Sequence, residues 1–235
     1  MKDKVTPFYN DAVSAIDAGL RKYMLGVFSR MSVGLALTAI VAYAVSTSQS
    51  LMISLFNTGL FWVVLLAPLA MVLYLSARVD SMSAQTAQGW FYAYSAINGA
   101  SLAPIFLVYS GASIALTFFS TSAMFLSMVI YGYSTEKDLT SVGSFCFMGL
   151  IGIIIASLVN LFTKSSTMSL VISLIGVVVF TGLTAWDSQV IKSYYFEGEE
   201  QESQDKKAVI GALRLYLDFI NLFLYILRFM GAKKD

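Results

Sequence analysis

Seven apolar stretches, each long enough to cross a bilayer as a helix, constrain this chain more than any other feature of its sequence. A hydrocarbon core about 30 Å thick takes roughly 20 apolar residues at about 1.5 Å of rise each. Residues 24–44, 51–75, 90–109, 112–131, 142–162, 168–186 and 209–230 meet that length. In hydrocarbon every backbone N–H and C=O must be bonded within the protein, so these runs are expected as helices and not as open strands. The expectation is an all-α integral membrane protein of seven transmembrane helices. Its connections are short, so no soluble domain fits between the spans. The chain divides into an N-terminal cytoplasmic segment, 1–23, a seven-helix domain, 24–231, and a C-terminal tail, 232–235.

Hydrophobic residues make up 57% of the chain and charged residues 12%, against about a quarter charged in soluble domains. The formal net charge of +1 offers no basic footprint for nucleic acid. The chain has no histidine and a single cysteine, Cys146, set in an apolar run. That removes the Ser/His and Cys/His hydrolase arrangements, the usual zinc sites, a disulfide framework and the imidazole pH switch. Any titration near neutrality then falls to perturbed carboxylates. No cofactor is expected, and an enzyme ranks last among the functions considered, since only an aspartyl-protease arrangement of two carboxylates would remain.

Residues 1–22 contain Asp3, Asp11 and Asp17 and lack the basic start, short apolar core and cleavage site of a signal peptide, so the first span is expected as an uncleaved anchor. Lys2, Lys4, Arg21, Lys22, Arg78, Lys137, Lys192, Lys206 and Lys207 fall on one side of the predicted spans, against Lys164, Lys233 and Lys234 on the other. This asymmetry predicts a cytoplasmic N-terminus and an external C-terminus.

Charges inside apolar runs are the candidates for function, because one facing lipid at the bilayer centre costs at least ~2.5–3.5 kcal/mol. In the seventh run Arg214, Asp218, Asn221, Tyr225 and Arg228 follow at steps of four, three, four and three, which sets all five on one helix face. The sixth run ends on Thr181, Thr184 and Asp187 at steps of three. Asp218 lies nine residues into its run while Asp187 closes the sixth, so contact between them requires tilt, a longer span six or a broken helix. One of these is assumed. If the carboxyls meet, both cannot ionise cheaply, and the pair titrates as a unit. Protonation would let them share a hydrogen bond and hold spans six and seven together, and deprotonation or cation entry would separate them.

The plainer alternative pairs Asp218 with Arg214 or with Arg78 and leaves the cluster a packing role. Arg30 is expected to snorkel to the headgroups, and the acidic stretch 197–205 to be a solvated connection. Gly99/Ala103 and Gly111/Ala115 are expected to let helices approach, and Pro68 and Pro104 to interrupt spans two and three. Calcium takes six to eight oxygen ligands, so Asp187 and Asp218 with nearby Thr and Asn oxygens would hold it weakly, which suits passage better than storage.

Thr184-Ala185-Trp186-Asp187-Ser188-Gln189, then Leu215-Tyr216-Leu217-Asp218-Phe219-Ile220-Asn221-Leu222-Phe223, resemble the Bax inhibitor family, also called the transmembrane Bax inhibitor motif family. Tyr131-Gly132-Tyr133-Ser134-Thr135 with Asp138, and the ending Arg228-Phe229-Met230-Gly231, extend the likeness. The compact loops look like those of a bacterial member, which implies the inner (plasma) membrane. The resemblance implies a central C-terminal helix wrapped by six others and a pH-sensitive calcium leak. It also implies that Asp187 and Asp218 are the paired aspartates and that Arg78 matches the second-span arginine that bonds them in the closed form. Trp186 stands where the family often has tyrosine.

The leading expectation is therefore a calcium leak channel gated by Asp187 and Asp218, with Arg214, Asn221, Tyr225, Arg228 and Thr184 lining its path. Its partners would be the bilayer, calcium ions and a membrane protein. The runner-up is a membrane-embedded regulator that binds a membrane protease or a stress or cell-death component without conducting. A proton-coupled transporter is the third reading.

Overall fold

The computed structural model describes the backbone of residues 5–234 and the side chains from Ala18 to Lys234. Its described residues form nine α-helices: α1 (Val5–Thr47), α2 (Gln49–Phe56), α3 (Leu60–Arg78), α4 (Ala84–Leu102), α5 (Ile105–Val108), α6 (Gly111–Ser134), α7 (Thr140–Thr163), α8 (Ser166–Ser193) and α9 (Gln201–Met230). A 3-10 turn, Val79–Ser81, follows α3. Among the described residues seven stretches are long and apolar enough to cross a membrane: Ala18–Thr47, Leu60–Ser81, Ala84–Val108, Gly111–Ser134, Thr140–Thr163, Ser166–Ser193 and Gln201–Met230. The protein is an all-α, multi-pass membrane protein.

Serines begin several of these helices. The side chains of Ser48, Ser83, Ser110 and Ser165 accept the backbone N–H three residues on, which satisfies a donor that each helix start leaves open. The second span begins at Leu60, not at residue 51, because Asn57-Thr58-Gly59 breaks the helix. The Thr58 hydroxyl donates to the Ser54 carbonyl at 2.6 Å and accepts from the Leu60 N–H at 3.2 Å, the local bonding by which such residues form turns. Pro68 is carried inside α3, whereas Pro104 separates α4 from α5, so of the two expected interruptions only the second ends a helix.

α9 occupies the centre. Of its most apolar stretch 56% is buried, against 17% for α3 and 11% for α7. It packs closely against α1, α4, α6 and α8, while α3 leans on α4 and α7 on α8. The central helix is thus wrapped by four close neighbours, with α3 and α7 as outer helices. Their outward Trp62, Leu69, Phe145 and Phe162 are exposed, as befits helices whose surroundings are acyl chains.

Small residues set the close approaches. A Cβ at Gly99 would meet the main chain of Thr38, and one at Gly132 the main chain of Ala185, so α4 lies tightly on α1 and α6 on α8. Gly111 has open space around it and makes no such approach, contrary to its expected role.

The two ends of the bundle are closed by different contacts. At the first end α1 meets the α8–α9 connection, with the Tyr23 and Tyr195 rings 5.9 Å apart. At the second end the tail folds back on residues 108–110: Ser110 N–H donates to Ala232 O at 3.1 Å and Lys234 N–H to Val108 O at 2.9 Å. The helix runs unbroken through residue 23, so the boundary expected there is not marked by any end of α1. Residues 1–4 of the N-terminal segment and residue 235 of the tail lie outside the described residues.

Candidate functional site

Asp187 and Asp218 are 8% and 4% exposed. α8 continues past Trp186 to Ser193 and α9 begins already at Gln201, so both runs are longer than their apolar cores, and the difference in depth disappears. Antiparallel register follows from Ile191 packing on Gly211 at one end and Tyr225 on Gly176 at the other. Between these contacts both aspartates are buried, with Asp187 bonded to Arg214, one helical turn before Asp218.

Arg214 completes the cluster, but not as either alternative had it. Its Nη1 donates to Asp187 Oδ1 at 2.8 Å, across to α8, and not to Asp218 one turn along its own helix. The guanidinium also lies over the Tyr194 ring, 6.0 Å from its centroid. Asp218 Oδ2 is buried with no hydrogen-bond partner, a state that costs about 1–3 kcal/mol for a neutral group and more for a charged one. One guanidinium balances one carboxylate. The remaining charge needs either a proton between the carboxyls or a cation.

Arg78 is not in this cluster. It is exposed in the last turn of α3, a helix held off α9 by α4, and makes no ion pair among the described residues. The expected bond from Arg78 to the aspartates is therefore replaced by one from Arg214. The rest of the polar stripe also divides. Asn221 Nδ2 donates to its own helix at Leu217 O, 2.8 Å, and Thr184 Oγ1 to Phe180 O, 2.7 Å. Tyr225 stacks on Phe180 with centroids 5.7 Å apart, and the exposed Arg228 lies over Tyr225 at 5.8 Å.

Among the described residues no group of three or more Asp, Glu or Cys side chains converges as a metal site. Asp187 and Asp218 are the residues that could meet a cation, and two carboxyls fall well short of the oxygen shell that holds calcium firmly.

Three features escaped the sequence reading. Arg30 does not snorkel: its Nη2 bonds Asp205 Oδ1 at 2.7 Å and its Nε bonds Gln88 Oε1 at 3.1 Å, joining α1, α4 and α9. The acidic stretch is largely engaged too. Glu202 Oε1 accepts Ala84 N–H at 2.6 Å, a carboxylate at a helix N-terminus where the dipole favours it. Lys207 Nζ lies 2.6 Å from Glu199 Oε1, and this bond, with a second from Ser203, lowers the Glu199 pKa below its ordinary value. The third is a buried hydroxyl cluster facing away from the aspartates. Tyr216 OH lies 2.6 Å from Thr38 Oγ1 and accepts Asn98 Nδ2 at 2.8 Å, while Thr38 Oγ1 is 2.8 Å from Ser95 O. Thr38 stands alone in an apolar run, whereas Asn98 follows Ser95 by three residues and Tyr216 lies between Arg214 and Asp218. The one sequence signal was a polar group in the interior of three different spans.

Comparison with known proteins fits this arrangement. The family described as "Inhibitor of apoptosis-promoting Bax1" matches residues 20–235. A protein of Rickettsia prowazekii is 49% identical over 219 residues, covering 93% of each chain. The inner membrane protein YbhL of Escherichia coli is 44% identical over 231 residues, covering 96% of this chain and 97% of its own. A membrane protein of Streptococcus pyogenes is 36% identical over 226 residues, covering 92% and 94%. With both buried aspartates, six spans and all but the first two residues of the other span inside the matched region, the chain belongs to the Bax inhibitor family of multi-pass membrane proteins.

Proposed function

We propose that this protein is a pH-sensitive calcium leak channel of a bacterial inner membrane, with its N-terminus in the cytoplasm and a gate at Asp187 and Asp218. The observation that carries the reading is the buried carboxyl pair between α8 and α9, balanced by a single guanidinium. A proton shared by the carboxyls ties α8 to α9 and neutralises the site. Loss of that proton leaves two like charges in contact at low dielectric, which drives the helices apart or draws in a cation. Thr184, Asn221, Tyr225 and Arg228 flank the route from the pair toward the second end. Calcium is the cargo, held by too few oxygens to stay. The protein acts as a conductor and not as an enzyme, and the inner membrane location of YbhL supports the compartment.

The test is calcium flux into liposomes holding the purified protein, between about pH 5 and pH 8, for wild type, Asp187→Asn and Asp218→Asn, each checked for folding. The reading expects a pH-dependent leak in the wild type and loss of that dependence in both variants. A well-folded wild type with no flux above empty liposomes overturns it in favour of a partner-binding regulator.

A further inference from the structure

α1 and α6 both pack on α9 but not closely on each other. The space between them is a groove in two contiguous sections of about 710 Å³ and 390 Å³, which share Leu35, Ala39, Phe118 and Phe219. Phe28 and Leu35 of α1 face Phe125 and Val129 of α6 across the larger section. Its floor is Phe219 of the central helix, held edge-on by Phe118 and Phe125 at 5.6 and 5.4 Å. Lipid around the bundle touches outer helices, but whatever enters this groove reaches α9.

The groove is apolar along its length and cationic at one mouth. At the first end it is bounded by Arg21 and Tyr133. Lys192 Nζ sits 4.9 Å above the Tyr133 ring and bonds that residue's carbonyl at 3.0 Å, with no carboxylate partner among the described residues. Arg21 on the groove wall and Lys192 over the Tyr133 ring, at the level where a membrane span begins, suit a phosphate at the headgroup layer. An unfilled groove would forfeit the dispersion contacts of both its walls, and the medium at its open side consists of acyl chains. A partner helix would need an acidic group placed at this mouth, whereas every phospholipid brings a phosphate there.

We infer that the groove between α1 and α6 is a phospholipid site, with one acyl chain lying against Phe219 and the headgroup phosphate at Arg21 and Lys192. The inference needs only the membrane setting and is independent of the channel reading.

The test reconstitutes the full chain with a phosphatidylglycerol carrying a diazirine on one acyl chain, followed by photolysis and peptide mapping, with a diacylglycerol carrying the same chain as control. Labelling should be enriched several-fold on α1 and α6 over α3 and α7, although the outer helices are the less buried. Ala39→Trp, or the milder Ala36→Leu should the first not fold, fills the groove and removes that enrichment while labelling of α7 persists. Replacing both cations, Arg21→Gln with Lys192→Gln, abolishes the preference for the phospholipid over the diacylglycerol. Labelling in proportion to lipid exposure, equal labelling by the two lipids in the wild type, or a dimer seated on α1 and α6 overturns the inference. Calcium flux plays no part in any of these readouts.

Discussion

Tyr216 OH, Asn98 and Thr38 join three helices, with Tyr216 and Thr38 buried and Asn98 half-buried. Tyr216→Phe keeps the ring, with its edge-on contacts to Phe91 and Tyr94, and removes only the oxygen. Asn98 Nδ2 then loses its acceptor, and the expected loss of stability is about 1–3 kcal/mol, read as a lowered unfolding temperature in detergent. An unchanged temperature would mean that the cluster contributes nothing net. At this scale the two aspartates were legible in the sequence, because a carboxyl within an apolar run at helical spacing from other polar residues has few places to go. The partner of Asp187 was not. Arg214 and Arg78 are equally cationic on paper, and only the placement of α3 outside α4 decides between them. Arg30 and Glu202 were misread for the same reason, since their partners are 175 and 118 residues away in sequence.

Helices in this bundle are positioned by the places where side chains are missing. Gly132→Ala puts a Cβ into the main chain of Ala185, so α6 and α8 must part, at about 1–3 kcal/mol for overpacking. Gly152→Ala on α7 meets nothing within 4 Å and should be neutral or stabilising by up to about 1 kcal/mol, since alanine is the better helix former. Thermal unfolding of the two variants side by side checks the contrast, and equal effects would contradict the close contact of α6 with α8. Six of the seven spans were legible to within several residues from hydrophobic length alone. The second was displaced because its apolar run continues into α2, and window hydrophobicity does not register a turn as short as Asn57-Thr58-Gly59. The extensions of α8 and α9 beyond their apolar cores were missed because polar residues such as Gln201, Ser203 and Gln204 continue a helix as readily as they end one.

For the whole molecule, the odd number of spans places the termini at opposite ends, with Arg30, Lys192 and Lys207 at the first end and the tail at the second. The excess of lysine and arginine at the first end predicts that it is cytoplasmic. An alkaline phosphatase fused after residue 235 should be active in the bacterial periplasm, and a green fluorescent protein fused there should be dark; the reverse pattern would invert the topology. The two polar anchorages of α9 bear on how such a molecule can move. Tyr216 and Arg214 are two residues apart, and so lie on nearly opposite sides of one helix, the first fastened to α1 and α4, the second to Asp187 of α8. α9 is a shaft keyed on both flanks. It cannot turn about its axis without shearing one key or the other.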